Sequence, residues 1–167
     1  MDNSGTLSIL KNAFLMEKKG KTLYEKAKES AQNDKVKSFF QELVDDEQEH
    51  MNLLEGQFKA FQDKGKFSAG NFDIDENKVN APVIIDDELK GNINAASFEA
   101  TAITAAISFE EKAVRLYAKQ GEEAVDPEEK KMYKWLSAWE TTHLKKLVVL
   151  EESLIENVWN DNNFWPF

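Results

Sequence analysis

Two short stretches decide the fold of this chain: Glu47-Gln48-Glu49-His50 and Glu140-Thr141-Thr142-His143, which contain its only two histidines. Each stretch has the form Glu-x-x-His, and residues three apart lie on the same face of a helix. The stretches are 93 positions apart, and a gapless comparison of 13–54 with 106–147 at that offset gives thirteen identities. We therefore interpret the chain as two related helical hairpins.

Apolar periodicity predicts four long helices, near 6–31, 34–63, 97–122 and 127–157. The break within the first hairpin falls at Asn33-Asp34. The break within the second falls at Asp126-Pro127, where Asp can cap a helix and Pro fits its first position. Together these features predict an all-α four-helix bundle over residues 1–160.

The connection between the second and third helices, about 63–96, has a different composition. It carries several Gly and Asn residues and one Pro, which predict irregular structure. A loop of that length is uncommon in a compact domain, but a bundle with one long crossover requires it. Beyond the bundle, residues 161–167 form an aromatic tail that we expect to pack on the bundle or on a second subunit.

Both Glu-x-x-His stretches interrupt the apolar seam of their helices. In the second helix, Leu43 and Leu54 flank Glu47 and His50 at steps of three and four, which mark one core-facing stripe. The fourth helix repeats this spacing. The seams of the first and third helices are interrupted by one glutamate each, Glu17 and Glu110.

Counting along the hairpins brings these polar side chains to one level. Glu17 lies 16 residues before Asn33 and Glu47 lies 14 after it, and the second hairpin repeats these spacings about Asp126. Four ionised carboxylates in a helical core are costly unless they are paired, and the seams contain no Lys or Arg. Two divalent cations would balance them. The candidate metal ligands are Glu17, Glu47, His50, Glu110, Glu140 and His143.

The donor set also indicates the metals. Carboxylate and imidazole ligands without thiolate favour two ions of iron, with manganese as an alternative and zinc as a substitute. The chain has no cysteine, which excludes thiolate metal sites, disulfides and cysteine nucleophiles.

Charge and hydropathy exclude other classes of partner. Acidic residues outnumber basic ones by 31 to 21, so we expect no binding to nucleic acid or to anionic membranes. The N-terminal stretch lacks the pattern of a signal peptide, and no run reaches the roughly 18 apolar residues of a membrane span. We expect a cytoplasmic protein.

Several residues next to the candidate ligands in the sequence could also belong to the site. Asp46 could pair with His50 four residues later, but its repeat counterpart is Trp139, so we discount that pairing. Glu111 lies about 100° around the helix from Glu110 and falls off the seam. Trp135 and Trp139 are predicted to be core or interface residues.

The stretches Met16-Glu17-Lys18-Lys19-Gly20…Tyr24 and Phe109-Glu110-Glu111-Lys112-Ala113…Tyr117, each followed by Glu-x-x-His, resemble the rubrerythrin-like branch of the ferritin superfamily. The resemblance covers both hairpins and implies a ferritin-like fold. It also implies a di-iron centre held by the six candidate ligands, with Glu47 and Glu140 bridging the metals.

Two interpretations remain open for Tyr24 and Tyr117. They are either core residues with satisfied hydroxyl groups or hydrogen-bond donors to the ligand carboxylates, and the two roles are compatible.

The sequence departs from the family pattern in two respects. Rubrerythrins typically carry a rubredoxin domain with cysteine-bound iron, and this chain has no cysteine. The resemblance therefore implies an external electron donor, such as a rubredoxin-like protein. Peroxide-reducing members also carry a further glutamate one turn after the third-helix ligand, where this chain has Ala113.

Three functions fit this pattern. The first is a redox enzyme that reacts with peroxide or dioxygen, as expected of a protein against oxidative stress. The second is an iron-binding protein or ferroxidase. The third is a non-catalytic bundle whose metal fixes the fold. The aromatic tail suggests a homodimer.

Overall fold

The computed structural model describes residues 3–161, which form six helices and no strand. The helices are α1 (Asn3–Ser30), α2 (Asp34–Lys64), α3 (Glu76–Asn80), α4 (Asp87–Gly91), α5 (Phe98–Glu123) and α6 (Pro127–Asp161). The predicted all-α, ferritin-like bundle is confirmed, with α1, α2, α5 and α6 as its long helices. Helix α6 continues four residues beyond its predicted end at 157. The aromatic residues of the predicted tail, Phe164, Trp165 and Phe167, lie outside the described residues.

The hairpin turns form where the sequence predicts them. At the start of α2, the Asn33 side-chain oxygen accepts hydrogen bonds from the backbone N–H groups of Lys35 and Val36. Asp126 caps α6 in the same way, accepting two backbone N–H groups of its first turn. Gly65 ends α2 with a φ of 66°, a left-handed conformation that glycine adopts without a steric penalty.

The predicted crossover contains two short helices rather than irregular chain alone. Asp86 caps α4 by accepting the backbone N–H of Glu88, and Asp75 accepts the N–H of Asn77 at the start of α3. Helix α3 lies against α6, and α4 contacts both α2 and α6. The crossover therefore covers the side of the bundle between α2 and α6.

The four long helices are not spaced evenly. Helix α1 packs closely along α2, and α5 packs along α6, while α1 and α5 join the two hairpins. Helices α2 and α6 approach each other less closely. A cavity of about 680 Å³ lies between them and the crossover.

The core is divided into two apolar clusters by a layer of polar side chains. One cluster includes Phe40, Leu43, Ile103 and Leu150. The other includes Leu10, Leu54, Met132 and Leu136. The layer between them holds the interruptions that the sequence shows in each seam. Within residues 3–161, no helix has an apolar stretch long enough to cross a bilayer.

Candidate metal centre

All six candidate ligands meet in this polar layer. They are Glu17 from α1, Glu47 and His50 from α2, Glu110 from α5, and Glu140 and His143 from α6. None is more than 3% exposed to solvent. The imidazole ring centroids of His50 and His143 lie 5.9 Å apart.

The six side chains form two overlapping donor sets. In each set, four ligand atoms lie within 4.8 Å of one another. One set is Glu17, Glu47, His50 and Glu140. The other is Glu47, Glu110, Glu140 and His143. Glu47 and Glu140 belong to both sets, so the geometry offers two adjacent cation positions with two shared carboxylates.

Glu140 lies between the two imidazoles. Its Oε1 is 2.8 Å from Nδ1 of His50, and its Oε2 is 3.0 Å from Nδ1 of His143. Glu47 stands farther off, at 3.6 Å from Nδ1 of His50 and 4.0 Å from Nδ1 of His143. Both imidazoles therefore present the same nitrogen, Nδ1, to the carboxylates.

The atoms in the first donor set are close to one another but poorly paired. Although 2.8 Å separates His50 Nδ1 from Glu140 Oε1, neither atom makes a hydrogen bond within the described chain, and neither does Glu47 Oε2. Buried polar atoms are rarely left unsatisfied. Oxygen and imidazole donors that converge without bonding one another fit a divalent cation held between them.

Two tyrosines link the hairpins to the centre. The Tyr24 hydroxyl on α1 donates to Glu110 Oε1 on α5, and the Tyr117 hydroxyl on α5 donates to Glu17 Oε1 on α1. Both tyrosines are fully buried. Each repeat thus supplies the tyrosine that orients the other repeat's glutamate.

Gly20 lies one helical turn after Glu17, close to the carboxylate of Glu47. A Cβ atom at Gly20 would lie 3.5 Å from Glu47 Oε1, an ordinary contact that a methyl group satisfies. The repeat counterpart, Ala113, has such a methyl group and is buried. A longer side chain at Gly20 would meet the Glu47 carboxylate.

Asp46, whose pairing with His50 we discounted from the sequence, contacts the other histidine of the centre. Its Oδ2 lies 2.9 Å from Nε2 of His143 on the opposite hairpin, rather than against His50 on its own helix. Sequence reasoning missed this contact because it joins residues 97 positions apart and has no counterpart in the repeat. Glu111 lies outside the centre, as predicted, and pairs with Arg115 at 2.9 Å.

Two tryptophans of α6 pack beside His50. The ring centroids of Trp135 and Trp139 are 6.0 and 5.5 Å from that of His50, both edge to face. They also line the cavity between α2 and α6. Both are half-buried, and Trp135 also packs on the second apolar cluster, so the pair forms a wall of the site.

Burial and mutual repulsion determine the protonation of the carboxylates. Burial raises the pKa of Glu47 and of Glu110 well above the usual range, and the charge of Glu140 raises both further. Burial alone would also raise the pKa of Glu140, but the two imidazoles outweigh it and hold that pKa low. Without cations, Glu47 and Glu110 therefore bind protons more readily than exposed glutamates do.

The two histidines also bind protons tightly, because negatively charged carboxylates surround them. Burial alone would lower the pKa of His143, but its hydrogen bonds to Asp46 and Glu140 raise it to about 9. The pKa of His50 is also raised, because the attraction of Glu140 exceeds the effect of burial. In the metal-free protein, protons thus compete with a cation for both imidazoles.

Cation binding must therefore release protons, and affinity must rise with pH. Between pH 6 and 8, both of which lie below the His143 pKa of about 9, each step up in pH removes competing protons. We expect the apparent affinity for Mn²⁺ to increase about tenfold or more per pH unit, one power of ten for each proton released. Calorimetric titration in buffers of different ionisation enthalpy measures both quantities. An affinity that does not change with pH, with no proton release, would contradict this expectation.

The profile of the rubrerythrin family matches residues 8–151, nearly the whole of this 167-residue chain. Searches among curated proteins and among solved structures gave no match. The family match agrees with the buried cluster of carboxylates and imidazoles, which fits metal binding. The resemblance seen in the two repeats is confirmed: the chain belongs to the rubrerythrin family.

Proposed function

We propose that this protein is a di-iron, or iron–manganese, carboxylate redox enzyme that reduces peroxide or dioxygen with electrons from an external donor. One observation carries the proposal: two donor sets, each with one imidazole, share Glu47 and Glu140. The proposed ligands are the six predicted from the sequence, with the two shared carboxylates as bridges. When bound, a ferrous pair supplies two electrons and Lewis acidity to the oxidant.

The chain's own residues supply charge balance and orientation. Four carboxylates and two neutral imidazoles balance two divalent cations in a layer that is otherwise apolar. Tyr24 and Tyr117 hold Glu110 and Glu17 by their hydroxyl groups, which limits the rotation of both carboxylates. The same contacts allow each glutamate to keep one oxygen bonded if the other changes partner.

Burial selects the size of the substrate. Since the six ligands are almost inaccessible to solvent, only a small molecule such as hydrogen peroxide or dioxygen suits the centre. The cavity between α2 and α6 supports an approach from that side, because Asp46 and Trp139 form part of its wall. A larger organic substrate would have to separate the bundle helices.

Electrons must reach the centre from another redox group. The sequence has no cysteine to hold a rubredoxin-type iron, which supports an external donor such as a rubredoxin-like protein. We also propose a cytoplasmic homodimer with no nucleic-acid or membrane partner. The excess of acidic residues in the chain supports the proposal that it has no nucleic-acid or membrane partner.

Stopped-flow absorbance of the ferrous-loaded protein tests the proposed activity. We expect oxidation by peroxide or by dioxygen at least about 100-fold faster than that of free ferrous iron at the same pH, and repeated turnover with a chemical reductant. Glu140→Gln, which removes a shared carboxylate, should lose this acceleration. Oxidation of the loaded wild-type protein no faster than that of free iron would contradict the proposal.

A ferroxidase is the second candidate, and Ala113 is the observation that favours it. Peroxide-reducing relatives carry a glutamate there, and this chain has a buried methyl group. A ferroxidase would oxidise iron with dioxygen and accumulate ferric product without needing a reductant. Turnover that continues only with added reductant supports the enzyme, whereas ferric iron stored in a large assembly on gel filtration supports the ferroxidase.

A further inference from the structure

The two halves of the centre share the same hydrogen bond from tyrosine to glutamate but differ beside the histidines. The internal repeat places Tyr24 opposite Tyr117 in register, and both make the same hydrogen bond to the other repeat's glutamate. The residue before each Glu-x-x-His stretch breaks this equivalence. It is Asp46 in α2 and Trp139 in α6.

On one side, Asp46 fixes the orientation of His143. The carboxylate Oδ2 lies 2.9 Å from Nε2, so that nitrogen carries the proton and donates it. With Nε2 protonated, the lone pair of neutral His143 lies on Nδ1, which faces Glu47, Glu110 and Glu140. An acceptor on the far nitrogen of a ligating histidine fixes its tautomer and raises its basicity.

On the other side, His50 has no such acceptor. Its Nε2 is fully buried and has no hydrogen-bond partner in the part of the chain that the structure describes. The rings of Trp135 and Trp139 pack edge to face against the imidazole instead. No group among residues 3–161 selects the tautomer of His50 that leaves Nδ1 free.

We propose that the two cation positions are unequal, and that the position served by His143 fills first because Asp46 orients that imidazole. The inference rests on the proposed function, since it concerns the same pair of cations. Asp46 is a positioning residue: it acts through His143 and does not itself face the shared carboxylates. Its side chain is 27% exposed at the edge of the cavity.

A titration with Zn²⁺ followed by ¹H–¹⁵N NMR of the imidazole nitrogens tests this order. The chain has only two histidines, so the spectrum contains two rings, which His50→Gln distinguishes. Zinc is diamagnetic and accepts the same donors. We expect the first equivalent to shift Nδ1 of His143 and the second to shift Nδ1 of His50. Before zinc is added, Nε2 of His143 should already carry a proton.

The possible results separate this inference from the proposed function. If both rings shift together, or His50 shifts first, the inequality is overturned while the metal centre stands. If neither ring shifts, zinc does not bind at the centre, and the proposed function fails together with this inference.

A matched pair of variants tests the role of Asp46. Asp46→Asn should weaken binding at the His143 position about 10–100-fold, so that the two steps of the titration merge. Asp45→Asn removes the same charge one residue away, from an exposed side chain that bonds Gln41, and should preserve the order. An unchanged order in Asp46→Asn, or the same loss in Asp45→Asn, would overturn the positioning role. Should Asp46→Asn fail to fold, the wild-type titration still decides whether the positions are unequal.

Discussion

Replacing Glu140 with glutamine is expected to weaken binding strongly at both cation positions, whereas replacing Glu17 with glutamine affects only one. Glu140 belongs to both donor sets, and each of its oxygens lies within 3.0 Å of a different imidazole Nδ1. Glu17 belongs to only one set. A glutamine has nearly the same shape but no charge, so the change removes a ligand anion while preserving the packing.

The size of this effect is measurable by Mn²⁺ calorimetry and by elemental analysis. We expect Glu140→Gln to weaken both steps at least about 100-fold, or about 2.7 kcal/mol each. Glu17→Gln should keep one ion per chain. Glu111→Gln is the matched control, because Glu111 neighbours a ligand but pairs with Arg115 at the surface. Two ions retained by Glu140→Gln would contradict the shared-carboxylate geometry.

Removing the cations is expected to lower the melting temperature of the protein by more than about 10 °C. A ligand present at 1,000 times its Kd stabilises the folded state by about 4 kcal/mol, and two ions contribute separately. For a chain of this length, each kcal/mol corresponds to about 2–4 °C. Thermal unfolding with added Mn²⁺ and with a chelator measures the difference.

Glu110→Gln should distinguish the effect of the Glu110 charge on the stability of the metal-free protein from its effect on stabilisation by a cation. Burial and repulsion hold the Glu110 pKa well above its usual range, so the charged form of Glu110 is disfavoured in the metal-free protein. The variant should therefore melt at or above the temperature of the metal-free wild type, since the glutamine oxygen can still accept from Tyr24. It should also show a smaller rise with Mn²⁺. A full metal-induced rise in the variant would contradict its assignment as a ligand.

The sequence predicts which six side chains meet in the polar layer because two independent regularities coincide. The i, i+3 spacing puts Glu47 and His50 on one helix face, and the repeat places Glu140 and His143 at the same level. Both regularities are local or periodic, so they are visible without coordinates. The structure brings these side chains together as the count of residues along each hairpin predicts.

Contacts that break the repeat are invisible to the same reasoning. Asp46 meets His143 only because the hairpins dock side by side, and Trp139 gives no sign that its counterpart contacts the centre. The short helices α3 and α4 were also missed, since five residues show no helical periodicity. Helix α6 continues past 157 because no glycine or proline interrupts the chain before Pro166.

Anomalous diffraction from crystals grown with ferrous iron or Mn²⁺ tests the central claim most directly, because it locates the cations without reference to activity. The account predicts two peaks inside the bundle, one beside Nδ1 of His50 and one beside Nδ1 of His143, with Glu47 and Glu140 contacting both. Peaks confined to surface carboxylates, or an empty layer with the six side chains bonded to one another, would contradict it.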